Sequence, residues 1–180
     1  MQIFDTEETA RLLNGFLGEL QTRYGEGSSK DEWAVVGIHR RGDILARRLV
    51  DRIVAAGEAA PPLGVLDITL YRDDFSPGRP QPMVRPSDID FDVNGRRILL
   101  VDDVFQTGRT IRAALNQLAD FGRPTQVVLA VFIDREQREL PICPDHVGVT
   151  VEQRPDERVH LHLAEVDGCD EVVRIAEPTS

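Results

Sequence analysis

Ile98-Leu99-Leu100-Val101-Asp102-Asp103-Val104-Phe105-Gln106-Thr107-Gly108-Arg109-Thr110 is the stretch on which the fold turns. Its first four residues are continuously apolar, the pattern of a strand buried on both faces at the centre of a parallel sheet. Asp102-Asp103 ends that run, and Phe105-Gln106-Thr107-Gly108 reads as a turn. From Arg109 onward Ile111, Leu115, Leu118 and Ala119 recur at helical spacing, until Gly122-Arg123-Pro124 stops the helix. Strand, turn and helix together form the carboxyl edge of an open α/β sheet, where such folds bind ligands. The turn suits a phosphate. Backbone amides at a helix start point outward, the helix dipole adds ~0.3–1 kcal/mol for an anion, and the hydroxyls of Thr107 and Thr110 are further donors. Gly108 lacks a Cβ, which lets the backbone close around the group. Two adjacent carboxylates would repel that same anion, so Asp102 and Asp103 are expected to face sugar hydroxyls or a hydrated Mg²⁺. A ribose carrying a phosphate satisfies both halves.

Working outward, Asp5 and Glu8 resemble a capping box ahead of Leu12, Leu13, Phe16, Leu17 and Leu20, which predicts a helix over about 6–23. Trp33-Ala34-Val35-Val36-Gly37-Ile38 reads as a buried strand, His39-Arg40-Arg41-Gly42-Asp43 as a polar turn, and Ile44, Leu45, Leu49, Ile53 and Val54 as one side of a helix. Val65–Leu70 is expected to be the next strand, Tyr71–Ser87 a long mobile loop, and Val127–Ile133 another buried strand. Strands separated by helices of this length imply right-handed crossovers and a doubly wound parallel sheet. From Val147 onward shorter alternating runs, Val159–Leu163 and Val172–Ile175, predict a small antiparallel C-terminal addition. The expectation is one α/β domain over residues 1–180.

A chain of 180 residues is long enough to bury its own core and needs no disulfide staples. No run approaches the ~20 apolar residues of a membrane span, and the acidic N-terminal stretch lacks the basic and apolar parts of a secretory signal, so a cytoplasmic location is expected. Cys143 and Cys169 stand alone and are read as buried thiols. The net charge of −10 disfavours a surface that attracts nucleic acid or anionic lipid everywhere. A local arginine cluster can still act, because exposed charges are screened over ~8 Å. His160 and His162, two apart on one face of a strand, are read as exposed histidines and not as a metal pair. No G-x-x-x-x-G-K-[ST] and no G-x-G-x-x-G occurs, which removes the ordinary P-loop and dinucleotide-binding readings.

The segment 98–110 resembles the thirteen-residue phosphoribosyl-diphosphate motif of type I phosphoribosyltransferases. Gly37-Ile38-His39-Arg40-Arg41-Gly42, Leu66–Asp74, Gly122-Arg123-Pro124 and the run from Asp134-Arg135 through Arg138-Glu139-Leu140-Pro141-Ile142 then resemble one family within it. This is the bifunctional pyrimidine-operon attenuation regulator and uracil phosphoribosyltransferase. The resemblance implies the type I phosphoribosyltransferase-like fold, a parallel sheet flanked by helices with a small antiparallel hood. It also implies transfer of a 5-phosphoribosyl group from phosphoribosyl diphosphate to uracil, with Mg²⁺, giving UMP and pyrophosphate. On that pattern Asp102 and Asp103 hold the ribose hydroxyls, directly or through Mg²⁺, and Val104 through Thr110, Thr107-Gly108-Arg109-Thr110 above all, cradle the 5′-phosphate. Arg40, Arg41 and Gly42 form the diphosphate loop, and Arg72 reaches the same group. The region around Arg138 and His146-Val147-Gly148 meets uracil, the loop 71–87 closes over the centre, and the chains form dimers or higher oligomers.

The family's regulatory half binds a hairpin in the leader of its pyrimidine operon messenger RNA. Here Arg40 stands where the family commonly has Thr, Gln106 where it has Tyr, Gln137 where it has His, Cys143 where it has Arg, and Val149 where it has Lys. Loss of two cations, together with the acidic stretch Glu152–Glu171, is expected to weaken an electrostatic RNA footprint. The alternatives are an RNA-binding transcription attenuation regulator with little or no catalytic activity, and a nucleotide sensor that kept the binding turn and lost turnover.

Overall fold

The structure, a computed structural model, describes residues 1–25, 32–71, 87–152 and 157–176. In chain order the elements are β1 (Gln2–Phe4), α1 (Thr6–Tyr24), β2 (Trp33–Ile38), α2 (Gly42–Ala55), β3 (Leu63–Leu66), a 3-10 turn (Ile68–Tyr71), β4 (Arg97–Phe105), α3 (Arg109–Phe121), β5 (Gln126–Asp134), β6 (His146–Thr150), β7 (Glu157–His162), α4 (Ala164–Asp167) and β8 (Glu171–Ala176). Five strands form one parallel sheet in the order β3-β2-β4-β5-β6, with β4 at its centre. The other three form a small antiparallel sheet in the order β1-β8-β7.

The alternation of side chains along a strand divides the core in two. Leu99 and Val101 join Leu13, Phe16 and Leu20 of α1 and Leu45 and Leu49 of α2 on one face. Ile98 and Leu100 join Ile111, Ala114 and Leu118 of α3 on the other. A strand buried on both sides has no solvated face to make polar, which is why β4 reads as an unbroken apolar run. The antiparallel sheet adds Val159, Leu161, Leu163 and Val172 to the α1 and α2 side.

Elements read from 3.6-residue or continuous apolar patterning stand where that patterning puts them. Asp5 caps α1 by accepting the Glu8 amide at 2.8 Å. Three expectations need correction. The strand expected over Val65–Leu70 runs from Leu63 to Leu66, because the buried Asp67 carboxylate accepts the Thr69 amide at 2.9 Å and its hydroxyl, turning the chain into the 3-10 segment. The segment from His146 to Thr150 belongs to the parallel sheet and not to the addition; Asp145 holds it beside β5 by exchanging two hydrogen bonds with the Leu129 backbone, each 2.8 Å. The addition itself recruits the N-terminal β1, too short to carry a periodic signal. Residues 72–86, the body of the expected loop, lie outside the described residues.

The turn between β2 and α2 is packed to backbone contact. A Cβ on Gly37 would meet Asp43 Cα at 2.4 Å, and one on Gly42 would meet the Val101 carbonyl oxygen at 2.4 Å. Gly37→Ala is therefore expected to cost about 1–3 kcal/mol or more, since neither neighbour is a side chain able to swing away. Gly15, mid-helix with nothing within 4 Å of its would-be Cβ, is the opposite case: Gly15→Ala is expected to add about 0.5–1 kcal/mol. Urea midpoints at constant m-value check both signs.

Candidate functional site

Central β4 carries Asp102 and Asp103 to the carboxyl edge of the sheet before the chain turns at 106–108 into α3. Gly108 takes φ of 88° and caps α3 without a side-chain hydrogen bond, so the helix start is not closed by its own cap residue. The left-handed conformation is what requires glycine here, since Leu140 and Ile142 stand at ordinary contact distance, 3.4–3.7 Å, from where a Cβ would be. Thr107 turns its carbonyl to the amides of Glu139 and Leu140, both at 3.1 Å. Its hydroxyl accepts the Arg109 amide at 3.3 Å. Thr110 is half-buried in the first turn of α3.

The two aspartates differ. Asp102 is buried and accepts the amide of Asp103 at 3.0 Å. Burial pushes the Asp103 carboxyl above the usual carboxylate range, although the Val104 amide, Asp102 and Arg41 all pull the other way. A half-buried carboxylate whose desolvation outweighs the pull of Arg41, next to a second carboxylate, is a hard oxygen donor set that suits Mg²⁺. Among the described residues no group of three or more His, Cys, Asp or Glu is placed to hold a metal ion.

Across from this edge lies the turn from β2 to α2. The His39–Arg40 peptide is cis, Arg40 is exposed, and Arg41 is half-buried close enough to act on both Asp103 and His160. Gly42 stands against Val101 and Asp102, which puts the start of α2 directly beside the carboxylates. Arg41 makes a bidentate ion pair with Asp167 of α4, at 2.9 and 3.1 Å from Nη2 and 3.2 Å from Nε. Arg48 of α2 grips the same acidic turn through Glu165 at 2.6 and 2.8 Å and Asp170 at 2.7 and 2.8 Å.

These contacts show where the hood lies. Arg135, just past β5, donates to the Glu157 carbonyl at 2.9 Å, while Arg41, just past β2, holds Asp167. The chain from 157 to 167 therefore crosses above the carboxyl end of β4, which lies between those strands. His160 sits midway along it, half-buried, and its imidazole is held below its ordinary pKa by burial and by Arg41. The expectation of exposed histidines is thereby corrected: His162 is half-buried too, with Nδ1 3.0 Å from Glu171. The acidic stretch is likewise no simple repulsive patch, since Glu165, Asp167 and Asp170 face arginines. Cys143 is exposed and Cys169 half-buried, not buried as expected.

On the α3 side, Gln106 is fixed at both ends of its amide: Oε1 accepts from Arg135 and Nε2 donates to Gln137, each at 3.0 Å. Arg109 pairs with Glu139 at 2.8 Å. Arg138 pairs with the buried Asp134 at 2.6 Å and lies 5.5 Å over the Phe105 ring, so the segment 135–142 is wrapped around the turn. Val147 is exposed on the edge strand β6, at the level of Asp102 and two strands away. Its neighbours serve packing: His146 bonds Tyr24 at 2.6 Å and Glu19 at 3.2 Å, and Gly148 lies against Phe132. Arg72 lies outside the described residues. Arg48 is not singled out by the sequence; Arg135 and Glu139 enter there only within the run 134–142, with no role, and Asp167 only within the acidic stretch Glu152–Glu171.

Comparison with known proteins agrees with this geometry. The family described as phosphoribosyl transferase domain matches residues 2–160. The "Bifunctional protein PyrR" of Roseiflexus sp. (strain RS-1) is 46% identical over 179 residues, covering 99% of this chain and 96% of that protein. That of Deinococcus radiodurans is 42% identical, covering 98% and 94%. In fold, the chain is similar to a hypoxanthine phosphoribosyltransferase from Staphylococcus aureus, with a TM-score of 0.64 at 19% identity over 93% of this chain and 87% of that one.

The Arg48 clamp has a pH signature. Hydrogen bonds from Arg48 outweigh burial and hold Asp170 and Glu165 below the usual carboxylate range. A depressed folded pKa means stabilisation that is present above the unfolded value of about 4 and lost as pH falls through the folded one. Arg48→Met is expected to cost about 1–2 kcal/mol at neutral pH, after discount for exposure, and progressively less below about pH 4. Denaturant titrations across that range check it.

Proposed function

Because the chain belongs to the phosphoribosyl transferase domain family, with proteins named bifunctional PyrR as full-length relatives, we propose that it transfers the 5-phosphoribosyl group of phosphoribosyl diphosphate to uracil and acts as a UMP-responsive regulator of pyrimidine operon expression. The observation that carries this is the start of α3, whose cap residue Gly108 supplies no side chain and whose Arg109 amide meets only the Thr107 hydroxyl at 3.3 Å, set beside two carboxylates and opposite an arginine turn. In the reaction a bond forms between N1 of uracil and C1 of the ribose. The bond from C1 to the diphosphate oxygen breaks, the diphosphate leaves with the electron pair, and the N1 proton is released. The products are UMP and pyrophosphate.

Each group has a place in this scheme. The α3 amides, the hydroxyls of Thr107 and Thr110, and Arg109 receive the 5′-phosphate, over a floor made by Val104, Phe105, Gln106 and Gly108. Asp102 and Asp103 hold the ribose hydroxyls and are the groups that would hold Mg²⁺. That ion, when bound, supplies positive charge next to the departing phosphates. Arg40, Arg41 and the Gly42 amide receive the diphosphate, and Arg72, outside the described residues, is assigned to the same group. Charge growing on a leaving group is where such donors lower a barrier. Arg138 and Val147 are assigned to uracil.

The regulatory half is supported by the printed name of the relatives and by the inward pairing of Glu165, Asp167 and Asp170, which removes part of the repulsion an RNA phosphate would meet. We place the whole chain as one cytoplasmic domain acting as a homodimer or higher oligomer. No helix among the described residues is long and apolar enough to cross a membrane.

Release of pyrophosphate with uracil, phosphoribosyl diphosphate and Mg²⁺, and little with hypoxanthine, guanine or orotate, is the expected result. Asp103→Asn is expected to lower kcat/KM about 100-fold or more. The same change is expected to raise stability at neutral pH by about 1 kcal/mol, because a carboxyl whose folded pKa is raised destabilises the fold once ionised. Tight UMP binding with no turnover on any base would select the nucleotide-sensor alternative instead, and a salt-dependent gel shift on the leader RNA tests the regulatory half.

A further inference from the structure

Arg41 reaches Asp167 across 126 positions of sequence, and nothing local to either residue requires the pair. Both side chains are about one-fifth exposed, at 20% and 19%, so solvent screens them only in part. The carboxylate is also held in place. Asp167 Oδ2 accepts the Leu163 amide at 2.9 Å, and the Asp167 amide donates to the Leu163 carbonyl at 2.7 Å. Arg48 holds Glu165 and Asp170 on either side of it. The turn thus presents one acid to Arg41 while its neighbours are occupied elsewhere.

We propose that Asp167 is an internal competitor for the diphosphate, its carboxylate taking the Nε and Nη2 edge of Arg41 that two oxygens of a diphosphate would take. Binding of the donor at this end is then an exchange of anions. A guanidinium offers that edge to one bidentate partner at a time, and a second anion on the remaining side would sit against the charge of the first. The exchange detaches the hood turn from the diphosphate loop, so occupancy of the loop is felt in the chain 157–167. Arg109 and Glu139 form a similar pair at the phosphate turn, but with side chains 54% and 52% exposed it is screened and competes weakly. The proposal rests on the assignment of Arg41 to the diphosphate made above.

The test is calorimetric titration with inorganic pyrophosphate in excess Mg²⁺, beside the KM for phosphoribosyl diphosphate. Asp167→Asn keeps an acceptor for the Leu163 amide and loses the charge. It is expected to tighten pyrophosphate binding about threefold to tenfold and to lower the KM by a similar factor. Glu165→Gln, in the same turn but held by Arg48, is expected to leave both unchanged. Arg41→Gln separates the two layers of the argument. If it leaves pyrophosphate affinity unaltered, the assignment of Arg41 fails and the exchange with it. If it weakens affinity while Asp167→Asn brings no gain, the assignment stands and the exchange is overturned. The wild-type chain supplies a readout that needs no variant: amide exchange over residues 163–168 should speed up on saturation with magnesium pyrophosphate, and unchanged exchange would sink the proposal.

Discussion

Backbone contact between the start of α2 and the centre of β4 is the constraint from which the rest of the site follows. Gly42 lies so close to Val101 and Asp102 that no side chain fits between them, and Gly37 is pressed equally hard against the Asp43 backbone. This brings the β2–α2 turn, with Arg41, level with the end of β4. Arg41 and Asp103 influence each other, and Arg41 then holds Asp167 and with it the hood. A Cβ at either glycine would meet backbone at 2.4 Å, so the cationic turn would have to shift away from the end of β4 to admit it.

Electrostatics at this edge is local. The chain carries a net charge of −10, yet three of the arginines assigned to the proposed site each face a carboxylate: Asp167 for Arg41, Glu139 for Arg109, Asp134 for Arg138. Such pairing lets a protein with an acidic surface keep guanidinium groups oriented for an anionic substrate without a repulsive cluster of like charges. It also gives the acids of the hood a structural role, since Arg48 uses two of them to tie the antiparallel sheet to α2. Asp103 is the exception, a carboxyl whose desolvation outweighs its partners. A group held that way gains most from a ligand that brings positive charge or hydroxyl donors, as expected where function is bought with stability.

Much of this was legible in advance. Residues 98–110 carry strand, turn and helix start within one short window, and the physics involved is local: two-sided burial makes β4 apolar, a glycine-bearing turn follows it, and amphipathic spacing defines α3, although the left-handed φ of 88° that requires Gly108 was not read from it. The same holds for β2, α1 and α2. The end of β3 was misplaced because Asp67 turns the chain through side-chain bonds to Thr69, which no apolar periodicity records. The placement of β6 and the recruitment of β1 escaped notice because pairing partners of short strands are chosen by contacts distant in sequence.

The residue pattern by itself therefore determined the fold class and the strand, turn and helix start that carry Asp102, Asp103 and the proposed phosphate site, because each depends on neighbours within a few positions. Tertiary structure alone decided which charges meet. Arg41 and Asp167 stand 126 positions apart, Arg48 and Asp170 stand 122 apart, and His160 lies over β4 only because β7 is tied at one end to Arg135 and its turn at the other to Arg41. Ion pairs between long, flexible side chains leave no periodic trace in a sequence. Their partners are set by how helices and sheets pack, and that is known only once the chain has folded.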